Sequence, residues 1–147
     1  MLMVRFLSVA ALWARGLLRP YIVAELNTSH FGDVETAKEM VAEAKRVGCD
    51  CVKFQSWSTE TLYCKSYYKE NAIAKRVINK FSLDSRQLLE LSQYSAQMEI
   101  DFTSTPYSIE EAEFLVSECR VPFVKIASME LNNLPFLKQL GKLGIPL

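Results

Sequence analysis

Charged, amide and hydroxyl side chains recur where the apolar runs of this sequence end. Lys53 and Gln55 lie two residues apart in the run CDCVKFQ, and Lys125 lies inside the run PFVKIAS. Residues two apart on a strand share a face, so such groups can converge at one end of a sheet. Ammonium groups, hydroxyls, an amide and carboxylates together suit an anionic phosphate or carboxylate beside a neutral polar substrate. The candidate site residues are Glu25, Lys53, Gln55, Thr105, Lys125, Ser128 and Glu130.

Several of these residues also have a purely structural interpretation. A single lysine at a strand end is most often a surface residue that extends its ammonium group to water. Lys53 and Lys125 occupy equivalent places in a repeat of strand and helix, and the pair therefore favours binding. Glu25 alone fits a solvated strand end equally well, and Ser128 fits a turn or cap. His30 fits a loop cap as well as a substrate contact.

Composition limits the classes of partner. The 147 residues carry 17 basic and 17 acidic side chains without a basic stripe, which gives nucleic-acid binding little support. The four cysteines form no C-x-x-C pair, and a lone histidine excludes a zinc site with two histidines. Reduced, buried cysteines are typical of a cytoplasmic protein. The apolar run at residues 6–13 is too short to span a membrane, so residues 1–19 are predicted to be an N-terminal extension, with export as the minority interpretation.

Four apolar runs alternate with amphipathic segments from residue 20 onward. The runs at 21–26, 49–55, 100–105 and 122–128 are typical of parallel strands covered on both faces. Helices are predicted from residue 34 to 47, after Asp84, after Ser108 and from about Asn133 to Leu143, because apolar residues recur there at helical spacing. GIPL, at 144–147, resembles the start of a fifth strand.

This alternation predicts an α/β fold with a parallel sheet. Two architectures compete, a doubly wound sheet and a (β/α)8 TIM barrel. No G-x-G-x-x-G follows the first strand, and four βα units with the start of a fifth strand fit about half of a barrel. Residues 56–82 are predicted to form a long βα loop that serves as a substrate lid.

Four motifs, in order along the chain, resemble those of the sialic acid synthase family, which includes the N-acetylneuraminate, legionaminic acid and pseudaminic acid synthases. They are PYIVAELNTSHFGD, GCDCVKFQ, FTSTPYS and VPFVKIASMELNNLPFL, and the resemblance covers residues 20–147. It implies the N-terminal half of a barrel synthase domain, without the second half and without the antifreeze-like domain that follows it in the family.

The resemblance also implies an activity. The family condenses phosphoenolpyruvate with an N-acetylated amino sugar such as N-acetylmannosamine, uses a divalent manganese or magnesium ion, and forms homodimers. By motif, Lys53, Thr105, Lys125 and Ser128 would bind phosphoenolpyruvate, whereas Glu25, Gln55 and Glu130 would take the catalytic roles toward the sugar or the attacking water. The family's two metal-binding histidines belong to the second half of the barrel, so no metal ligand is expected in this chain.

This chain departs from the family pattern at Met129, where the family usually has glycine. As a half barrel, the chain is expected to be inactive alone. Two other functions are compatible with its residues. One is a Schiff-base aldolase that uses the amine of Lys53 or Lys125, and the other is a non-catalytic fragment that binds sugar phosphate.

Overall fold

The computed structural model describes residues 19–147, in which three parallel strands form one sheet. The strands are β1 (Val23–Glu25), β2 (Cys51–Ser56) and β3 (Asp101–Pro106), and they pair in the order β1-β2-β3. The predicted α/β class with a parallel sheet is confirmed. β1 is shorter than the predicted run. Apart from Arg19, the predicted N-terminal extension lies outside the described residues.

Four of the helices are those that the apolar spacing predicts. Each begins after a side chain that caps it: Asp33 accepts from the backbone of Thr36, and Asp84 and Ser108 both form complete capping boxes. Asn133 caps the last helix, which has a proline in its first turn and ends at Leu140, where a 3-10 turn (Gly141–Leu143) follows. These helices are α1 (Val34–Arg46), α4 (Ser85–Gln97), α5 (Ile109–Ser117) and α6 (Leu134–Leu140).

The long connection after β2 is helical rather than a loop. It contains α2 (Lys65–Glu70) and α3 (Ala72–Phe81), which meet at Asn71. The prediction of a long loop was wrong because Ala, Lys and Arg, which are good helix formers, make up half of 72–81, and the buried side chain of Ile78 packs this helix against the rest of the protein.

The fourth predicted strand, at 122–128, is also wrong. The segment runs beside β3, but its backbone bonds to the sheet are few: Lys125 N–H donates to Ser104 O (3.4 Å), and the Thr103 hydroxyl donates to Phe123 O (2.6 Å). Pro122 has no N–H to donate, and a 3-10 turn (Ser128–Glu130) ends the segment. GIPL forms no strand in the described chain either, although Val124 N–H reaches Pro146 O at 3.0 Å.

The core lies between one face of the sheet and the helices. Val52, Phe54 and Phe102 share that face and pack with residues of α1, α4 and α5, and the rings of Phe54 and Phe102 stack at 5.6 Å. Strand alternation sends Lys53 and Gln55 to the opposite face. No helix within residues 19–147 combines the length and the apolar character needed to cross a membrane.

Candidate functional site

A buried lysine links the carboxyl ends of all three strands. The Lys53 ammonium lies 2.7 Å from Glu25 Oε2 on β1, and it donates to Thr105 Oγ1 on β3 at 3.0 Å. The sheet register produces these contacts, because Lys53 pairs with Glu25 on β1 and with Thr103 on β3, and Thr105 lies two residues further along the same face of β3. Lys53 is 6% exposed and Thr105 is 2% exposed. A buried cation with a hydroxyl beside it can neutralise an anion that enters this edge of the sheet.

Gln55 completes the set on this face. It is half-buried, lies one pleat beyond Lys53 and pairs in register with Thr105. Its amide has no hydrogen-bond partner among residues 19–147 in the structure, so it can both donate to and accept from a polar ligand. Four of the seven candidate residues therefore meet at one place: Glu25, Lys53, Gln55 and Thr105.

The other three candidates lie on the segment after β3. Lys125 is exposed, and its ammonium donates to Ile126 O at 2.5 Å. Glu130 accepts a hydrogen bond from the Asn133 amide at 2.7 Å, and Ser128 is exposed. The structure does not join Lys125 to Lys53. The sequence prediction placed Lys125 at the ligand-binding edge of the sheet only on the assumption that 122–128 is a strand whose side chains alternate between the two faces.

Tyr107 is a site residue that sequence reasoning missed. It directly follows β3, and its ring lies 5.9 Å from that of Trp57, which directly follows β2. Burial raises the pKa of Tyr107 to about 12, with further contributions from the charges of neighbours that include Glu130 and Glu25. The phenol therefore stays protonated at neutral pH. Its position immediately after a strand end was the available signal.

His30 serves the loop after β1. Its side chain is 1% exposed, its Nδ1 accepts the N–H of Gly32 at 3.0 Å, and its ring packs on Phe54. Burial lowers the pKa of His30, while a backbone hydrogen bond to Asn27 and the charge of Asp33 oppose that shift. Of the two interpretations of His30, the geometry favours the loop cap.

An aromatic cavity lies beside Trp57 and Tyr107, the residues that directly follow β2 and β3. It has a volume of about 400 Å³ and lies between the loops after β1, β2 and β3 and the helices α2 and α3. A larger hollow, of about 480 Å³, lies at the opposite ends of the strands, where Asp101 and residues of α4 line it. The residues that line the aromatic cavity are Thr28, Trp57, Leu62, Tyr63, Tyr67, Ala74, Val77, Ile78, Phe81, Tyr107 and Met129.

The part of the chain that the structure describes contains no cluster of three His, Cys, Asp or Glu side chains that could hold a metal ion. The donor set near Lys53 consists of one carboxylate, an amide and hydroxyls, and the ammonium group among them repels a cation. These residues therefore do not fit a metal site, and none of the roles proposed for them below involves a metal ion.

Comparison with known proteins gives one consistent result. A sequence model described as the NeuB family matches residues 40–147. The N-acetylneuraminate-9-phosphate synthase of Drosophila melanogaster is 39% identical over 137 residues, which cover 86% of this chain and 36% of that protein. The N,N'-diacetyllegionaminic acid synthase of Legionella pneumophila is 33% identical over 136 residues, with 86% of this chain and 38% of that protein covered.

A solved structure gives the same result. The crystal structure of an N-acetylneuraminic acid synthetase from Leptospira borgpetersenii matches with a TM-score of 0.75 and 27% identity, over 85% of this chain and 42% of that one. The chain spans less than two fifths of the length of the two curated relatives above.

Proposed function

The chain belongs to the NeuB family, and on that premise we propose that its lysine cluster is part of a nonulosonic acid synthase site. The relatives are synthases of sialic and legionaminic acids. The substrates proposed for the whole enzyme are phosphoenolpyruvate and an N-acetylated amino sugar. The proposed fold of the whole domain is a TIM barrel, and packing of the helices on a single face of the sheet supports it.

The buried ammonium of Lys53 is the observation that carries this proposal. An ammonium group has three N–H donors, and its partners among residues 19–147, Glu25 and Thr105, occupy two of them. The third can bind the phosphate or carboxylate of phosphoenolpyruvate. A buried cation interacts strongly with such an anion because little water screens the pair.

The reaction joins two carbon atoms and releases phosphate. C3 of phosphoenolpyruvate attacks the aldehyde carbon of the open-chain sugar, and water adds at C2. The bond from C2 to the phosphate oxygen then breaks, so phosphate leaves with both electrons of that bond. In the proposed roles Lys53 and Thr105 hold the anion, and Glu25 and Gln55 orient the sugar or the attacking water.

The segment after β3 supplies the remaining roles. Lys125 reaches the anion when its ammonium leaves Ile126 O, an exposed contact that costs little to break. Ser128 then adds a hydroxyl to the anion, and Glu130 faces the sugar beside Tyr107. The four cysteines are free thiols, which supports a reducing, cytoplasmic setting.

Turnover is proposed only for a protein that spans the whole length of the curated relatives, and for that protein a homodimer is expected. The 147-residue chain is expected to bind phosphoenolpyruvate without releasing phosphate. The direct test is a titration of the ¹⁵N-labelled chain with phosphoenolpyruvate, followed by two-dimensional NMR. We expect saturable shifts of backbone amides at the ends of β2 and β3, and shifts confined to other parts of the chain would contradict the proposal.

Borohydride treatment in the presence of pyruvate distinguishes the aldolase alternative. An aldolase would give a covalent adduct on Lys53 or Lys125, detected by mass spectrometry, because reduction traps the imine. We expect no adduct, since the proposed reaction uses the lysines as cations that bind the substrate and never as nucleophiles.

A further inference from the structure

Glu111 joins two connections that reach the ligand-binding edge of the sheet from different strands. We propose that Glu111 is a positioning residue of the anion site, which fixes the connection after β2 against the turn after β3 and so keeps Thr105 in place beside Lys53. This inference rests on the proposed function, because it assigns Glu111 an indirect role in binding the anion at that same site.

Both oxygens of the Glu111 carboxylate accept hydrogen bonds. Oε1 accepts the hydroxyl of Thr61 at 2.6 Å, and Oε2 accepts the backbone N–H groups of Tyr107 at 2.6 Å and Ser108 at 3.2 Å. The capping box of α5 accounts for the Ser108 contact, which is the longest of the three. The two shorter bonds are additional, and they join residues from the connections that follow β2 and β3.

The Thr61 hydroxyl also holds the turn at the end of β2. Its Oγ1 accepts the backbone N–H of Ser58 at 3.0 Å while it donates to Glu111, which a hydroxyl can do because it has one donor and two acceptor positions. β2 ends at Ser56, two residues before Ser58. The Glu111 carboxylate therefore ties the end of β2, through Thr61, to Tyr107, which directly follows β3.

These ties lie next to the contact between Lys53 and Thr105. Thr105 is two residues before Tyr107 in the chain, and its register partner on β2 is Gln55. The Lys53 ammonium donates to Thr105 Oγ1 across the two strands. A shift of the end of β3 relative to β2 would therefore change the distance between the ammonium group and the hydroxyl that are proposed to hold the anion.

The far end of the long connection is held by a different loop. The rings of Phe81 and Phe31 lie 5.5 Å apart, and a Cβ on Gly32 would meet the Lys80 carbonyl oxygen. The connection that contains α2 and α3 therefore runs from the turn after β3 to the loop after β1. A segment held at both ends has fewer accessible conformations, so loss of the Glu111 contact would free its first turn.

Partial burial strengthens the bonds of Glu111. The side chains of Glu111 and Thr61 are both half-buried. Burial raises the pKa of Glu111, while its bonds to Thr61, Tyr107 and Ser108 oppose that shift, so these donors stabilise the ionised carboxylate that burial disfavours. Hydrogen bonds to an ionised group are stronger than those between neutral groups, which suits Glu111 to hold two separate connections together.

Two replacements of Thr61 test this contact without disturbing the helix cap. Thr61→Val keeps the shape of the side chain but removes the hydroxyl, and it should weaken phosphoenolpyruvate binding by about threefold to tenfold in a calorimetric titration, the value of roughly one hydrogen bond. Thr61→Ser keeps the hydroxyl and should bind phosphoenolpyruvate as the wild type does.

A second pair of variants tests the carboxylate. Glu111→Gln removes the charge that both connections share and should weaken phosphoenolpyruvate binding by a similar factor, whereas Glu113→Gln removes an exposed charge from the same helix and should not. Because Glu111 and Thr61 act as one unit, the double variant Glu111→Gln, Thr61→Val should bind no more weakly than the weaker of the two single variants. Urea denaturation of each variant checks that the chain is folded at the temperature of the titration.

The inference and the proposed function fail differently. Wild-type affinity in Thr61→Val, equal losses in Thr61→Val and Thr61→Ser, or additive losses in the double variant would overturn the role of Glu111. In each of these cases phosphoenolpyruvate binding by the wild-type chain would still support the proposed function. Absence of phosphoenolpyruvate binding by the wild-type chain would overturn both.

Discussion

The Lys53 ammonium and the Glu25 carboxylate form an ion pair in which one partner is buried and the other is not. Their atoms lie 2.7 Å apart, yet the Lys53 side chain is 8% exposed and that of Glu25 is 51% exposed. The carboxylate can therefore turn toward water when another anion approaches, whereas the ammonium group cannot leave. This asymmetry makes Lys53 the fixed element of the site.

The first prediction concerns the stability of this pair. Loss of one partner of an ion pair is costly when it leaves the other charge buried, but Lys53→Met leaves only Glu25, which is half-exposed, so it should change the free energy of unfolding by no more than about 1 kcal/mol. Glu25→Gln leaves the buried ammonium without its counter-charge and should be more destabilising than Lys53→Met. Urea denaturation measures both. A larger loss of stability in Lys53→Met than in Glu25→Gln would contradict this prediction and would show that the buried lysine contributes mainly to stability.

The second prediction uses Gly32 and Gly48, two of the three glycines with positive φ among the described residues. A Cβ at Gly32 would lie 1.9 Å from the Lys80 carbonyl oxygen, whereas a Cβ at Gly48 would meet nothing within 4 Å. Gly48→Ala should cost about 1–2 kcal/mol of unfolding free energy from the left-handed backbone alone. Gly32→Ala should cost more, because the loop after β1 or helix α3 must move.

Thermal or urea denaturation compares the two glycine variants, and Gly141→Ala is the control without positive φ or a close neighbour. Equal costs at Gly32 and Gly48 would contradict the close approach of the β1 loop to α3.

The third prediction concerns pH. Burial lowers the pKa of His30, so the unfolded chain binds the proton more readily than the folded chain. The stabilisation is therefore complete above the unfolded pKa of about 6.5 and is lost as pH falls through the lower folded pKa. His30→Asn keeps an acceptor for the Gly32 N–H and should flatten this part of the dependence of unfolding free energy on pH. An unchanged slope in the variant would rule out His30 as its source.

The fourth prediction concerns the thiols. Cys64 is exposed and its pKa is lowered, first by the Ser66 hydroxyl, whereas burial raises the pKa of Cys51 to about 12 and that of Cys119 to about 11. Cys64 should react first with a thiol reagent in the native chain, and Cys64→Ser should remove this fast phase. Fast labelling of Cys51 would contradict its burial.

Local signals in the sequence predicted the helices well. Capping contacts join residues three or four positions apart, so they do not depend on the tertiary fold. The capping residues are Asp33, Asp84, Ser108 and Asn133. The two helices in 56–82 were missed because only half of 72–81 consists of good helix formers and because the segment was interpreted by its place between a strand and a helix.

Nonlocal pairing explains what the sequence could not predict. A run such as 122–128 becomes a strand only if its backbone forms a complete ladder of hydrogen bonds with a neighbouring strand, and here it makes isolated bonds with Ser104, Thr103 and Pro146.

The cluster of Glu25, Lys53 and Thr105 was predictable since strand alternation and strand ends determine it. Lys125 was not, because its orientation depended on the strand that did not form. The aromatic cavity depends on α2 and α3 and was missed with them.

Calorimetric titration of phosphoenolpyruvate into the wild-type chain and Lys53→Met tests the central claim most directly. Loss of a charge-assisted hydrogen bond to a buried cation should weaken binding at least about tenfold. Glu25→Gln removes a competing negative charge and should bind phosphoenolpyruvate as tightly as the wild type or more tightly. Equal affinity of the wild type and Lys53→Met would contradict the assignment of Lys53 as the anion-binding group of this site.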